Sequence, residues 1–277
     1  MKKKIKIAMA QISCIKGDKK ANLKKIEEYT EDASNEGANL IIFPELSLTG
    51  YYLRDEIYNL AEEIPGPSTT AVENIAKKFK IHIIFGMPEL SSKTHATIYN
   101  AAVLIGPNGY IGRYRKMHLP MHSVFEEKRY FRPGYEIGVF ETDIGKIGLL
   151  ICYDLFFPEA SRLIRLNGAK LTVCISASPT TRRAFFETLT AARAIENVSF
   201  LAYVNLVGME DGLQFWGGSR LLAPDGKIIT KAKYDEEDLI IDTIDYADIR
   251  TFEVSLPTLK DLRPELFEKL NEEAKKL

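Results

Sequence analysis

The chain has 277 residues, of which 45% are apolar, and its 37 Lys and Arg residues are balanced by 38 Asp and Glu residues. This composition supports a sizeable hydrophobic core and argues against disorder, and a prior of roughly 150 residues per domain allows one large domain or two small ones. A net charge of -1 provides no basic excess to attract nucleic acid or an anionic membrane surface.

Three cysteines, at positions 14, 152 and 174, are too few for a disulfide framework, and none lies in a CxxC pair or a Cys/His cluster. The N-terminal run MKKKIKIAMAQISCI is interrupted by Lys6 and Gln11 and has no small-residue cleavage site, so it is interpreted as a first strand. No segment approaches the roughly 20 apolar residues of a membrane span. The sequence therefore predicts a soluble, cytoplasmic protein without a membrane or nucleic-acid partner.

The first half of the chain alternates apolar runs with segments of helical periodicity. Strands are expected at 5–12, 40–43 and 81–86, and helices at 22–35 and 70–79. The unbroken apolar run LIIF is typical of a strand that is buried on both faces of a sheet. The segment AAVLIGPNGYIGRYRK then predicts a hairpin that turns at Pro107-Asn108-Gly109.

The second half repeats this order. Strands are expected at 146–151, 171–176 and 200–204, helices at 158–167 and 182–197, and a hairpin at Pro224-Asp225-Gly226. Lys116 lies seven residues after Gly109, and Lys233 lies seven after Gly226, which favours one unit used twice.

Two such β-α-β-α-β-hairpin halves predict an α/β fold, a four-layer α-β-β-α sandwich, with a doubly wound single sheet as the alternative. The sandwich is assigned to residues 1–247. Residues 248–277 form a tail, expected to start with an irregular stretch and to end in the charged helix PELFEKLNEEAKKL. This tail is a candidate for contact with a partner subunit.

Ligands of open α/β sheets bind beyond the carboxyl ends of the strands, where three reactive side chains are expected. Cys152 ends a strand and precedes a helix, Glu45 follows a buried strand, and Lys116 closes the first hairpin. Each has an ordinary alternative: a packing cysteine, a solvated carboxylate or a solvated basic edge. His118 and His122 lie four residues apart, but Pro120 between them argues against a shared helix face for a metal, so they are interpreted as loop or packing residues. A nucleophilic pair of a cysteine with one of these histidines is the rival arrangement.

The order of these motifs resembles the nitrilase, or carbon-nitrogen hydrolase, superfamily. FPELSLTGY at 43–51, YRKMHLP at 114–120 and GLLICYDLFFPEASR at 148–162 resemble its glutamate, lysine and cysteine motifs. VFEEKRYFRPG at 124–134 and GGSRLLAPDGKII at 217–229 resemble two further family segments. The resemblance covers about residues 5–245, and the fold it implies is the same four-layer sandwich.

The resemblance implies that Cys152 is the nucleophile, Glu45 the general base and Lys116 the electrostatic stabiliser. A second family glutamate follows the lysine; Glu127 is favoured for it, with Glu126 as the competitor. Tyr51 and Tyr153 are candidates for the wall of a substrate pocket, with a place in the core as the equal alternative. Residues 178–183 lie at a strand end where members of the family contact substrate, so the resemblance suggests Ser178 as a lining residue. It implies neither a metal nor an organic cofactor, and it implies a homodimer or a larger homo-oligomer.

The pair Tyr153-Asp154 after the cysteine is similar to the amidase and ω-amidase branches of the superfamily. The expected activity is therefore hydrolysis of a small carboxamide to an acid and ammonia through a cysteine thioester. A nitrilase or an N-carbamoyl amidase with the same three residues is the alternative, and carboxylate-bearing substrates would need a cationic anchor such as Arg129, Arg182 or Arg183. A binding protein that kept the fold without catalysis is the alternative from another class.

Overall fold

The structure is a computed structural model that describes residues 4–276. Its strands are β1 Lys4–Gln11, β2 Leu40–Ile42, β3 His82–Ser91, β4 Thr94–Gly106, β5 Gly109–Arg115, β6 Val139–Thr142, β7 Gly145–Ile151, β8 Leu171–Ser176, β9 Phe200–Asn205, β10 Val207–Glu210, β11 Leu213–Trp216, β12 Arg220–Leu222, β13 Ile228–Lys231 and β14 Asp238–Asp245. Its helices are α1 Lys19–Asn35, α2 Ile57–Leu60, α3 Pro67–Phe79, α4 Glu127–Tyr130, α5 Pro158–Leu166, α6 Arg183–Asn197, α7 Asp248–Ser255 and α8 Pro264–Ala274.

Two six-stranded sheets with the same plan form the centre of the protein. The first has the order β14-β1-β2-β3-β4-β5 and the second the order β6-β7-β8-β9-β12-β13. In each sheet three parallel strands are flanked by one antiparallel edge strand on one side and an antiparallel hairpin on the other. The predicted α/β sandwich is therefore confirmed, and each half of the chain supplies the parallel strands and the hairpin of one sheet.

Alternation along β1 shows how the layers are packed. Ile7 and Met9 belong to one core cluster with Leu149 of the second sheet. Ala8 and Ala10, which point the other way, belong to a separate cluster with residues of α1 and α3. Successive side chains of a strand face opposite sides of the sheet. One face of β1 packs on the second sheet and the other face packs on helices, so β1 is apolar on both faces.

Most predicted helices and strands lie within a few residues of the observed ones. Helix α1 begins earlier than expected, at Lys19, because the Asp18 carboxylate accepts a hydrogen bond from the Ala21 N–H at 3.0 Å and caps the first turn. Strands β6 and β14 and the small β10–β11 hairpin were not predicted. Strand β14 pairs with β1 along its whole length, from Lys4↔Asp245 to Gln11↔Asp238, so a distant segment completes the first sheet.

The expectation of an irregular start to the tail is wrong. Residues Asp248–Ser255 form α7, and its Ile249 is fully buried in the core. Helix α8 is confirmed over Pro264–Ala274, and Leu277, like residues 1–3 at the other end, lies outside the described residues. The boundary of the tail at 247/248 stays a prediction. Between residues 4 and 276, no helix has both the length and the apolar character required to cross a membrane.

Candidate active site

The carboxyl ends of strands from both sheets meet at one point, where the three candidate residues lie. Glu45 follows β2, Lys116 follows β5 and Cys152 follows β7. The two sheets are joined there directly, because the Glu45 Oε2 atom accepts a hydrogen bond of 2.7 Å from the backbone N–H of Ala177, just after β8. The site is thus built between the two halves of the chain.

A buried lysine between two buried glutamates forms the centre of the site. The Lys116 Nζ atom donates to Glu45 Oε1 at 2.7 Å and to Glu127 Oε1 at 2.6 Å. The side chains of Lys116 and Glu45 are fully buried, and that of Glu127 is 4% exposed. Glu126, the competing glutamate, is exposed to solvent, so of the two neighbours the structure places Glu127 against the lysine.

Two residues that the sequence did not single out position Glu45. The Asn100 Nδ2 atom on β4 donates to Glu45 Oε1 at 2.7 Å. The Glu45 turn also passes so close to Gly86 of β3 that a Cβ atom there would lie 2.2 Å from the backbone nitrogen of Leu46. Only glycine leaves room for the turn at this point, so the position of Glu45 depends on the next strand.

Tyr51 belongs to the same network. Its hydroxyl donates to Glu127 Oε1 at 2.7 Å, and its backbone N–H donates to the Glu210 carboxylate of β10 at 2.9 Å. The tyrosine is largely buried, and these contacts give it a part in holding Glu127. Its contact with substrate stays a prediction.

Cys152 occupies a strained elbow between β7 and α5. Its φ angle is +46°, in the left-handed region that non-glycine residues rarely adopt, and it begins a short 3₁₀ turn over Cys152–Phe156. Backbone strain of this kind persists only where surrounding contacts enforce it, and it often marks functional positions. The residue is 4% exposed.

Burial and the neighbouring charges set the protonation of the site. Burial and the charge of Glu45 raise the pKa of the Cys152 thiol, while the charge of Lys116 lowers it, and the net direction is upward. A thiol with a raised pKa is protonated near neutral pH, so it needs a base before it can attack. The base role of Glu45 stays a prediction; the charges of Glu45 and Lys116 both act on the thiol.

The two other charged groups shift in directions that keep them paired. Burial would lower the pKa of the Lys116 ammonium, but the charges of Glu127 and Glu45 raise it well above its ordinary value. Burial raises the pKa of Glu127 to about 7, with the charge of Lys116 opposing the rise. Lys116 is therefore a permanent cation, and Glu127 titrates near neutral pH.

A small cavity of about 150 Å³ opens onto Cys152. Its wall is mainly aromatic, and the residues that line it besides the cysteine are Pro120, His122, Phe125, Tyr153, Phe156, Arg182, Phe185 and Phe186. A wider groove of about 600 Å³ shares Pro120, His122 and Tyr153 with this cavity. A cavity of about 150 Å³ accommodates a molecule the size of benzene, so the space beside the thiol suits a small substrate.

The two remaining predicted substrate residues differ in their placement. Tyr153 lines both spaces. Ser178 is fully buried and does not line the cavity; its backbone N–H donates to Asn205 Oδ1 at 2.7 Å. Its contact with substrate stays a prediction.

His118 and His122 contact residues other than the cysteines. His118 Nδ1 lies 2.8 Å from Asp154 Oδ1, and the His122 ring packs edge-on against Tyr153. Neither ring is hydrogen-bonded to Cys152 in the part of the chain that the structure describes, and that part contains no group of three or more His, Cys, Asp or Glu able to hold a metal ion. Cys174 is buried within β8, and Cys14 contacts the Ser47 carbonyl.

The chain matches a known protein family over most of its length. The family model for carbon-nitrogen hydrolases matches residues 6–253. The chain belongs to this family. It is therefore a hydrolase that acts on C–N bonds, of the nitrilase superfamily and its amidase-like branch.

Three relatives illustrate the match. A probable nitrilase of Schizosaccharomyces pombe is 36% identical over 273 residues, which cover 96% of this chain and 98% of the relative. An omega-amidase of Mus musculus is 31% identical over 276 residues, covering 95% of this chain and 96% of the relative. The solved structure of a mutant amidase of Nesterenkonia sp. AN1 carries the acetamide moiety of fluoroacetamide covalently added at its active-site cysteine; it superposes with a TM-score of 0.83 at 28% identity and covers 96% of each chain.

Proposed function

We propose that this protein is a thiol amidohydrolase that cleaves a small carboxamide to a carboxylic acid and ammonia through a thioester on Cys152. The observation that carries the proposal is the buried Glu45–Lys116–Glu127 network, whose charges act on the Cys152 thiol at the end of a small cavity. The cysteine adduct in the related amidase supports a covalent route.

In the first stage, Glu45 takes the thiol proton as the Cys152 sulfur bonds to the amide carbon. The electron pair of the carbonyl moves to oxygen, where the Lys116 ammonium and the Tyr153 backbone N–H stabilise the negative charge. One such donor typically contributes ~3 kcal/mol in the transition state. When the C–N bond breaks, Glu45 passes its proton to the leaving nitrogen, and ammonia departs from the thioester.

In the second stage, water replaces ammonia. Glu45 takes a proton from the water as its oxygen bonds to the thioester carbon, and the C–S bond then breaks. The proton returns to the sulfur, which regenerates the thiol and releases the acid. Because one carboxylate acts as base and then as acid in both stages, the position of Glu45 beside the lysine matters throughout.

Glu127 acts in this scheme by holding Lys116 and by offering its second oxygen to the substrate. Glu127 Oε2 is buried and has no hydrogen-bond partner among residues 4–276. A carboxylate oxygen accepts hydrogen bonds, and the NH₂ group of a carboxamide donates two. This pairing would orient the amide in front of the thiol.

The cavity wall supports a substrate with a carboxylate at its far end. The half-buried Arg182 lines the cavity and, among the described residues, has no ion-pair partner for its guanidinium. Arg183 is instead paired with Glu187 and stacked on Tyr234, and Arg129 lies at the exposed surface. A short ω-amide of a dicarboxylic acid, the class suggested by the omega-amidase relative, would place its carboxylate on Arg182.

The test is ammonia release from a panel of small carboxamides, with and without a distal carboxylate. Cys152→Ala should abolish turnover, and Cys174→Ala, a matched change of a buried thiol on the neighbouring strand β8, should retain it. Mass spectrometry should detect the acyl adduct on the peptide that contains Cys152. Ammonia release by Cys152→Ala at the wild-type rate would refute the mechanism.

Arg182 is tested separately. Arg182→Met should raise the KM for carboxylate-bearing amides by about 10–100-fold, because a charge-assisted pair is lost, and should leave uncharged amides almost unaffected. Arg183→Met is the matched control. An equal effect on charged and uncharged amides would contradict the anchoring role.

Nitrile hydrolysis is the second candidate, favoured by the similarity to the probable nitrilase. It would use the same Cys152 attack, on the carbon of a C≡N group, and N-carbamoyl amide hydrolysis would use it on a ureido carbon. A panel of matched nitrile, amide and N-carbamoyl substrates separates the three activities by their kcat/KM.

We also propose that the enzyme is a cytoplasmic homo-oligomer in which the tail contacts a second copy. Helix α8 has no buried residue and exposes Leu266, Phe267 and Leu270. A truncation to test this should remove α8 alone, after Leu262, because α7 carries the buried Ile249. Sizing in solution should then show a smaller assembly than the full chain.

A further inference from the structure

One buried carboxylate beside the candidate nucleophile has four hydrogen-bond donors around it. Asp154 is fully buried. Its Oδ1 atom accepts from the His118 backbone N–H at 2.9 Å and lies 2.8 Å from the His118 Nδ1 atom. Its Oδ2 atom accepts from the Tyr114 hydroxyl at 2.7 Å and from the Ile151 backbone N–H at 3.1 Å.

The partners of Asp154 lie on both sides of the two reactive positions. Tyr114 and His118 are each two residues from Lys116, one before it and one after it. Ile151 is the residue before Cys152, and Asp154 is two residues after it. The single carboxylate therefore fastens the segment that carries the lysine to the elbow that carries the cysteine.

These hydrogen bonds of Asp154 to Tyr114, His118 and Ile151, here called the Asp154 clamp, also account for the strained backbone of the elbow. The φ angle of Cys152 is +46°, and a left-handed non-glycine residue persists only where contacts on both sides hold it. The hydrogen bond from the Ile151 N–H to Asp154 Oδ2 closes the turn around the cysteine. The same side chain also accepts hydrogen bonds from the Tyr114 hydroxyl and the His118 backbone N–H, so the turn is held by a second segment.

His118 is locked in place by a second contact. Its ring stacks on Phe157 with 3.6 Å between the ring centroids and an angle of 8° between the planes. Because a carboxylate oxygen accepts, the Nδ1 atom carries the proton in this contact. The ring fills the wall of the wider groove, and its Asp154 bond links that wall to the elbow.

We infer that Asp154, with Tyr114 and His118, is a positioning residue that sets the geometry between the Cys152 sulfur and the Lys116 ammonium. Asp154 acts through its neighbours and does not itself contact substrate. The inference rests on the proposed function, since it concerns the rate at which Cys152 is acylated. A misplacement of reacting groups by about 1 Å costs as much as 100-fold in rate, which sets the scale of the expected effect.

The test compares Asp154→Asn with a buried carboxylate of similar architecture outside the site. Glu89 is 2% exposed and accepts hydrogen bonds from Arg113 and Arg115, which lie on the same strand as Tyr114. Glu89→Gln should lower the thermal midpoint while the folded enzyme keeps its kcat. Tyr114→Phe, which removes only one hydrogen bond from Asp154, keeps the test available where Asp154→Asn does not fold.

Two readouts are measured on the folded full-length protein. The first is kcat and KM for the best amide found. The second is the rate of alkylation of Cys152 by iodoacetamide, followed by mass spectrometry, which does not require the enzyme to turn over an amide. Asp154→Asn should lower kcat by about 10–100-fold with KM changed by less than about 3-fold, and Tyr114→Phe should lower kcat by about 3–10-fold. Alkylation of Cys152 should slow in both variants and remain unchanged in Glu89→Gln.

The outcomes separate the two hypotheses. If the wild type hydrolyses no amide, the proposed function fails, and the alkylation rates alone test the positioning role of Asp154. If the wild type is active and Asp154→Asn keeps its kcat and its alkylation rate within about 2-fold, the positioning role is overturned. A loss of kcat in Asp154→Asn no larger than that in Glu89→Gln would overturn it as well, because the effect would then be general destabilisation.

Discussion

Replacing Lys116 by methionine removes the cation from a fully buried site and leaves two carboxylates behind. Lys116 Nζ lies 2.7 Å from Glu45 and 2.6 Å from Glu127, and the exposed fraction of its side chain is zero. Methionine has a similar length, so the main change is the loss of charge and of two charge-assisted hydrogen bonds. Removing one partner of a buried ion pair costs about 3–5 kcal/mol, since it leaves an unpaired buried charge.

The cost should depend on pH in a defined direction. The charge of Lys116 holds down the pKa of Glu127, which is already raised to about 7. Without the lysine the folded variant binds the Glu127 proton more tightly than the unfolded chain does, so its stability falls as the pH rises. We therefore expect a larger loss at about pH 8.5 than at about pH 6, and at the higher pH a midpoint lower by roughly 6–20 °C.

The measurement is chemical and thermal unfolding followed by circular dichroism. Lys78→Met is the matched control, because the Lys78–Glu27 pair is exposed (58% and 42%) and such pairs contribute at most about 1 kcal/mol. Adding Glu127→Gln to Lys116→Met should restore part of the stability at high pH by removing one unpaired charge. A loss below about 1 kcal/mol, or an equal loss at both pH values, would refute the reasoning.

Three further predictions concern the surroundings of this network. The pKa of Glu127 is raised from 4.5 to about 7 on folding, so its contribution to stability is complete below pH 4.5 and is lost as the pH rises through about 7. Glu127→Gln should therefore make the free energy of unfolding less dependent on pH over that range. An unchanged pH dependence would contradict this. Tyr51→Phe removes a hydrogen-bond donor that lowers the pKa of Glu127, so the acidic limb of the pH-rate profile should shift to higher pH. The free energy of unfolding should fall by about 1.5–3 kcal/mol. An unchanged position of the acidic limb would count against the network. Gly86→Ala places a Cβ atom against the Glu45 turn and should lower the free energy of unfolding by about 1–3 kcal/mol and kcat by up to 100-fold. In the control, Gly106→Ala, the new Cβ meets the flexible end of Ile111 at 2.9 Å, and the activity should be kept. Equal activities of the two variants would refute the close-approach argument.

The sequence was most informative where local chemistry decides the structure. The unbroken apolar run of β2 predicted a strand that is buried on both faces, and the two turns at Asn108-Gly109 and Asp225-Gly226 predicted hairpins that the structure contains. Strand β14 was missed because most of its residues are only half buried and its partner, β1, lies more than 200 residues earlier in the chain. A pairing at that separation has no local signal.

The sequence alone determined the fold class, the duplicated plan and the residue types from which the site is built, because periodicity, turn residues and ordered motifs are local properties. Only the tertiary structure decided how those residues interact. Glu127 rather than Glu126 contacts Lys116, and Asn100 and the Ala177 N–H donate hydrogen bonds to Glu45. Asp154 connects the segment that carries Lys116 to the turn that carries Cys152. The contacts of Glu45 with Ala177 and of Tyr114 with Asp154 join the two halves of the chain, and the others join segments that are distant in sequence, so they form only when the chain has folded.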